Sequence, residues 1–219
     1  MMKILAVTGG IGSGKSVVCR ILANRWGLPV YEADSRVKSL YVNHPSLLGS
    51  IEAVLDCPLR DGNGRFVPAM LAEKIFCGSG ALEKVEALVF PVLKEDFRRF
   101  ADESGEKGIV VFESATILEK PQFKGFADKV LFVDAPFDLR LERACMRDGA
   151  CPETVLARMD KQKLMNDLCG CPCNAGIDAC IVNDGTEKEL EHKVDDVMKT
   201  MFADEIRNRV ILITEHKNS

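Results

Sequence analysis

This chain of 219 residues has no apolar run approaching the about 20 residues of a membrane-spanning helix. Met1–Val7 also lacks the longer apolar stretch of an export signal. Charge excess is missing too. Against 33 Asp+Glu stand 29 Lys+Arg, a net charge of −4, which argues against a surface built to coat nucleic acid or another polyanion. Histidine is scarce: His44, His192 and His216 are scattered among polar residues, without a partner at catalytic or metal spacing, and none is given a role. No internal repeat or low-complexity tract is present. The nine cysteines are an odd count at irregular positions, a poor disulfide framework. Without an export signal they predict reduced thiols and a cytoplasmic protein. The composition, 47% hydrophobic and 28% charged, is that of an ordinary globular chain long enough for one domain with a sizeable insertion.

The apolar pattern that is present predicts an α/β fold. Met2–Val7 is a short buried-strand run that ends in Thr8-Gly9-Gly10. From Lys15 to Trp26, Val17, Val18, Ile21, Leu22 and Trp26 recur at helical spacing, and Gly27-Leu28-Pro29 ends that helix. Val30-Tyr31 starts a second strand, so the order is strand, glycine loop, helix, strand, the βαβ unit of a parallel sheet. Ile109–Phe112, Val130–Val133 and Ile181-Val182 read as further strands, the last followed by a helix over about 187–202. Between Pro45 and Ala101 the pattern turns helical, with Leu82, Val85, Val89, Leu93 and Phe97 at steps of three and four. Helices inserted there would build an acceptor pocket, or simply cover the sheet.

Gly9–Ser16 fits G-x-x-x-x-G-K-[ST] between a strand and a helix. Glycines let the main chain wrap closely, so that its N–H groups face phosphate oxygens at a helix N-terminus. Gly10, Ile11, Gly12, Ser13, Gly14, Lys15, Ser16 and Val17 are therefore the expected nucleotide-binding set, with Lys15 on the β- and γ-phosphates and Ser16 on Mg²⁺. The guanine signature Asn-Lys-x-Asp of GTP switches is absent, which leaves a small-molecule kinase as the best fit.

A kinase also needs a group to orient or deprotonate the acceptor, and cations over the γ-phosphate. Asp34, just past the second strand, is the candidate base, although an Asp after a strand also serves as a helix N-cap. Glu32 could support it. Arg140, Arg143 and Arg147 fall within about 60° of one helix face. They form either a lid that closes on the triphosphate or a solvated stripe paired with Glu142 and Asp148.

Together these residues resemble the dephospho-coenzyme A kinase family. The resemblance is carried by Thr8–Ser16, Pro29–Asp34, Leu141–Asp148, Arg158–Gln162 and Ile181–Gly185. It implies a P-loop NTP hydrolase-type three-layer fold in a single domain over 1–219. The core would be about 1–44, 106–136 and 177–205, with a helical acceptor-binding insertion over about 45–105 and a lid over about 137–168. It implies ATP as co-substrate, Mg²⁺ as cofactor and dephospho-coenzyme A as acceptor at its ribose 3′-hydroxyl. No nucleic-acid or membrane partner is expected, and the chain is expected to be a monomer or weak homo-oligomer. On matching positions it makes Asp34 the base, Lys15 the phosphate clamp and Arg147 and Arg143 the lid arginines, with Thr8 and Gln162 as substrate or nucleotide contacts. Departures fall mainly on the acceptor side. Glu32 stands where Asp is usual, Phe90-Pro91 where His-Pro is usual, and Ser114–Glu119 matches only loosely. Val17 in place of Thr is minor.

Two alternatives belong to other classes. One is a kinase for a nucleoside, nucleotide or sugar. The other is a nucleotide-gated binding protein with zinc on Cys169, Cys171, Cys173 and Cys180, although C-x-C-x-C lacks the usual zinc pair spacing.

Overall fold

The computed structural model describes residues 2–77, 80–105, 108–162, 167–168 and 176–203. Contacts divide the chain into two units, one of Met1–Val30 with Glu106–Ser219 and one of Tyr31–Gly105.

The sheet has the order β2-β3-β1-β4-β5, with β1 at Lys3–Thr8, β2 at Val30–Glu32, β3 at Ile109–Glu113, β4 at Lys129–Asp134 and β5 at Ala179–Val182, and β1, β3, β4 and β5 belong to the first unit. β1 lies parallel between β3 and β4, with Lys3 opposite Ile109 and Leu5 opposite Lys129. β5 adds in parallel beyond β4. The central strands are apolar along nearly their whole length because both of their faces are covered. Leu5, Val7, Val111, Leu131 and Val133 pack with α1 (Lys15–Trp26) and with Leu190, Val194 and Met198 of a late helix at Glu187–Met201. On the other face, Phe112 meets Phe123 and Phe126, and Phe132 packs with Leu168. Before the late helix come α6 (Phe137–Asp148) and α7 (Pro152–Met159), so it is α8. Thr186 opens α8 with a capping box shared with Glu189.

A polar staple joins α1 to α8. Asp195 accepts hydrogen bonds from Arg25 Nη2 at 2.6 Å and from the Trp26 indole at 2.9 Å. The Arg25 guanidinium, helped by the indole, holds the Asp195 carboxyl below the usual carboxylate range. A depressed folded value contributes stability above the unfolded value of about 4, and that stability is lost as pH falls through the folded value. Asp195→Asn is therefore expected to cost about 1–2 kcal/mol at pH 7. The gap to wild type should close in denaturant melts taken progressively below about pH 4. A gap independent of pH would show that the charge contributes nothing.

The second unit is helical, with α2 (Ala33–Asn43), α3 (Pro45–Leu55), α4 (Pro68–Cys77) and α5 (Ala81–Glu103). It runs over Tyr31–Gly105, starting before the 45–105 stretch read as helical from sequence. Val85, Val89, Leu93 and Phe97 are buried as their spacing predicts. Leu82 is not. It is 39% exposed, and Ala81 takes the buried place. The buried track runs 81, 85, 89, 93, 97, 101, and a residue one step off such a track lies about 100° around the helix. His44, given no role from sequence, caps α3: its Nδ1 accepts the Leu47 N–H at 3.2 Å.

Candidate active site

The glycine loop leaves β1 at Thr8 and turns into α1 at Lys15. Gly14 is the N-cap of α1 in a left-handed conformation, with no side-chain cap and no acidic residue in the first turn. The first N–H groups of that turn are thus open to an anion, which the helix dipole favours, while the Val17 N–H donates to the Gly14 carbonyl at 3.0 Å. Lys15 Nζ lies across the loop, donating to the carbonyls of Gly9 at 2.9 Å and Gly10 at 3.2 Å. Ser16 is exposed beside it. Thr8 and Ser13 are fully buried, and their hydroxyls have no hydrogen-bonding partner among the described residues.

Side chains from three other elements brace this loop. Asn183, at the end of β5, donates from Nδ2 to the Ser13 carbonyl at 2.9 Å. Its own carbonyl accepts from Arg143 Nη1 at 2.9 Å. The Gln162 carboxamide oxygen, just after α7, accepts the Ile11 N–H at 2.8 Å. Arg140 Nε donates to the Ile11 carbonyl at 3.0 Å. The Ile11 side chain packs on Ala144, Val155 and Met159, so α6 and α7 close directly on the loop.

The three arginines of one helix face therefore have three separate fates. Neither the single basic stripe nor a uniform lid describes them. Arg140 is buried, and Arg143 is tied to the end of β5. Arg147 is exposed and forks onto Asp148 at 2.7 and 3.1 Å. Asp148 also receives Arg158 at 2.6 Å, and the guanidinium of Arg147, then that of Arg158, holds its carboxyl below the usual range. The sequence alternative of pairing with Asp148 thus applies to Arg147 alone.

In the helical unit, Asp34 is the second residue of α2 and is exposed, while the N-cap position belongs to Glu32. Glu32 makes no side-chain cap and accepts instead from the Ser35 hydroxyl at 3.2 Å. The chain entering α2 is tied down by Tyr31, whose buried hydroxyl donates to Asp96 of α5 at 2.7 Å. Burial, then the Asp96 contact, pushes this phenol well above its usual range. Its ring packs on Phe97 and Phe100, and the Arg36 guanidinium lies 5.1 Å from its centroid.

Of the cysteines weighed for zinc, Cys169, Cys171 and Cys173 lie outside the described residues. Cys180 is a half-buried residue of β5 that packs with Phe132 and Leu168. No group of three His, Cys, Asp or Glu among the described residues is placed to hold a metal. No helix among them is long and apolar enough to cross a membrane. Sequence reasoning missed Asn183, although a polar residue directly after the last strand is a signal for the loop edge of a parallel sheet. Tyr31 and Asp96 are 65 positions apart, and no spacing rule connects them.

A family model described as dephospho-CoA kinase matches residues 3–189. A dephospho-CoA kinase of Porphyromonas gingivalis is 38% identical over 182 residues, covering 83% of this chain and 86% of the relative. One of Bacteroides fragilis is 34% identical over 189 residues, with 85% and 86% covered. Among solved structures, a Thermus thermophilus protein superposes with a TM-score of 0.75 at 27% identity, over 93% of this chain and 97% of that one. A Campylobacter jejuni dephospho-CoA kinase shares the fold with a TM-score of 0.55 at 21% identity, over 91% and 97%. A glycine loop between β1 and α1, a parallel five-stranded sheet and a match spanning most of the sequence lead to one conclusion: this chain belongs to the dephospho-CoA kinase family.

Proposed function

We propose that this protein transfers the γ-phosphate of ATP to the ribose 3′-hydroxyl of dephospho-coenzyme A, giving coenzyme A and ADP. The observation that carries the proposal is the glycine loop with its uncapped α1 N-terminus and Lys15, in a chain of this family. Between Gly10 and Val17, the loop N–H groups other than those of Ile11, Ser13 and Val17, which are held by Gln162, the Gly10 carbonyl and the Gly14 carbonyl, receive the polyphosphate. Lys15 exchanges its two loop carbonyls for phosphate oxygens, a stronger, charge-assisted contact.

Asp34 follows β2 as the loop follows β1. Its carboxylate takes the proton as the 3′-oxygen bonds to the γ-phosphorus, while the bond from that phosphorus to the bridging oxygen breaks and ADP leaves. Arg143 and Arg147 supply positive charge, the latter by leaving Asp148. Gln162 contributes through Ile11, whose N–H it holds. Thr8, the expected substrate contact at the end of β1, keeps its hydroxyl fully buried.

The residues fit Mg²⁺. Ser16 offers an exposed hard oxygen at the helix start, suited to an ion held by one side chain together with phosphate and water. Bound there, the ion would neutralise charge on the β- and γ-phosphates. A cytoplasmic monomer or weak homo-oligomer goes with this reading.

An acceptor panel with γ-labelled ATP tests it. Label should move to dephospho-coenzyme A at least about a hundredfold faster than to nucleosides, nucleotides or sugars, since a site built for one acceptor's hydrogen bonds discriminates by that much or more. Equal transfer to a sugar or nucleoside would refute the acceptor assignment.

A further inference from the structure

Arg140 is among the most enclosed side chains of the protein, 2% exposed, and none of the chemistry above uses it. It stands in the first turns of α6, against the arc Gly10-Ile11-Gly12. Its Nε donates to the Ile11 carbonyl. A Cβ built on Gly10 would come within 2.2 Å of its Nη2, and one built on Gly12 within 2.0 Å of its backbone oxygen. One residue of α6 therefore touches three consecutive loop residues: the guanidinium covers Gly10 and grips Ile11, and the main chain closes on Gly12. On the far side of the arc, the Ser13 N–H closes a turn onto the Gly10 carbonyl at 3.2 Å. Burying a guanidinium is costly unless its rigid fork finds acceptors, so a charge kept here implies a geometric use.

We infer that Arg140 is a positioning residue of the nucleotide site, holding the Gly10–Gly12 main chain in the arc that sets where the open N–H groups of the loop meet the β-phosphate. The inference rests on the nucleotide reading of the loop. It carries a signature that a purely structural role lacks. AMP has no β-phosphate, so its binding is indifferent to the arc, whereas ADP depends on it.

The test is calorimetric titration of the full chain with AMP and ADP. Wild type is measured first, and failure to bind ADP overturns the nucleotide reading itself, separately from the role of Arg140. Arg140→Met keeps the length of the side chain and removes the fork. It should weaken ADP about ten- to a hundredfold, the loss of a hydrogen bond from a charged group, and change AMP less than about threefold. Gly10→Ala attacks the same contact from the loop side. Its methyl must expel the guanidinium, so it should weaken ADP about tenfold with AMP again spared. This variant keeps the inference testable if Arg140→Met does not fold. In the double variant the two losses should overlap instead of multiplying. Equal weakening of AMP and ADP, unchanged ADP binding, or multiplying losses would each overturn the inference.

Discussion

Asp34→Asn should turn over about a thousandfold more slowly than wild type while binding ADP within about threefold of it, the range in which general-base catalysis operates. The substitution keeps shape and volume and removes the proton-accepting charge. Asp34 is exposed at the start of α2, and its side chain makes no ion pair among the described residues, so the melting temperature should stay within about 1 °C. The turn that carries it is held from behind, by the Tyr31 hydroxyl on Asp96 and by Arg36 over the Tyr31 ring. Those anchors are untouched. Steady-state turnover with ATP and dephospho-coenzyme A, beside an ADP titration, reads both halves. Turnover within tenfold of wild type would remove Asp34 from the base position.

Gly12→Ala should abolish measurable ADP binding, a loss of more than about a hundredfold, and lower the melting temperature by about 6–12 °C. Gly12 sits at φ +76, a left-handed conformation that costs an alanine about 1–2 kcal/mol. The added methyl would also stand 2.0 Å from the Arg140 carbonyl oxygen. That oxygen belongs to a helix backbone, with no rotamer to swing aside, so either the loop or α6 must shift. Together the effects amount to about 3 kcal/mol, and the loop geometry is lost in either case. A thermal melt and a titration report the two consequences separately. Normal ADP affinity would show that the loop arc does not bind phosphate.

The helix expected over Lys15–Trp26 is the helix observed, because its signals are local: a glycine loop before it, periodic apolar residues within it and Gly27 after it. The central strands were equally legible, since strands buried on both faces leave continuous apolar runs. Leu82 was misplaced because an i, i+3/i+4 pattern admits neighbouring tracks, and only packing against α3 and α4 selects among them. Asn183 and Gln162 act through single hydrogen bonds to loop carbonyl and amide groups more than 150 residues away, which no local pattern encodes. Helical spacing could not reveal the separate fates of Arg140, Arg143 and Arg147, because what differs among them is what each one faces.

By itself the sequence determined what depends on near neighbours: the parallel α/β core, the loop between β1 and α1, the family, and Asp34 and Lys15 as candidates for chemistry. Its lack of charge excess and of long apolar runs had already argued against a polyanion-coating surface and a membrane-spanning helix. The tertiary structure alone decided which polar groups are enclosed and against what. Burial turns one arginine into a brace beneath the phosphate loop and leaves another, seven positions later, in a solvent-exposed ion pair with Asp148. The physical reason is that a charge is priced by its surroundings, and surroundings are assembled from residues far apart in the chain.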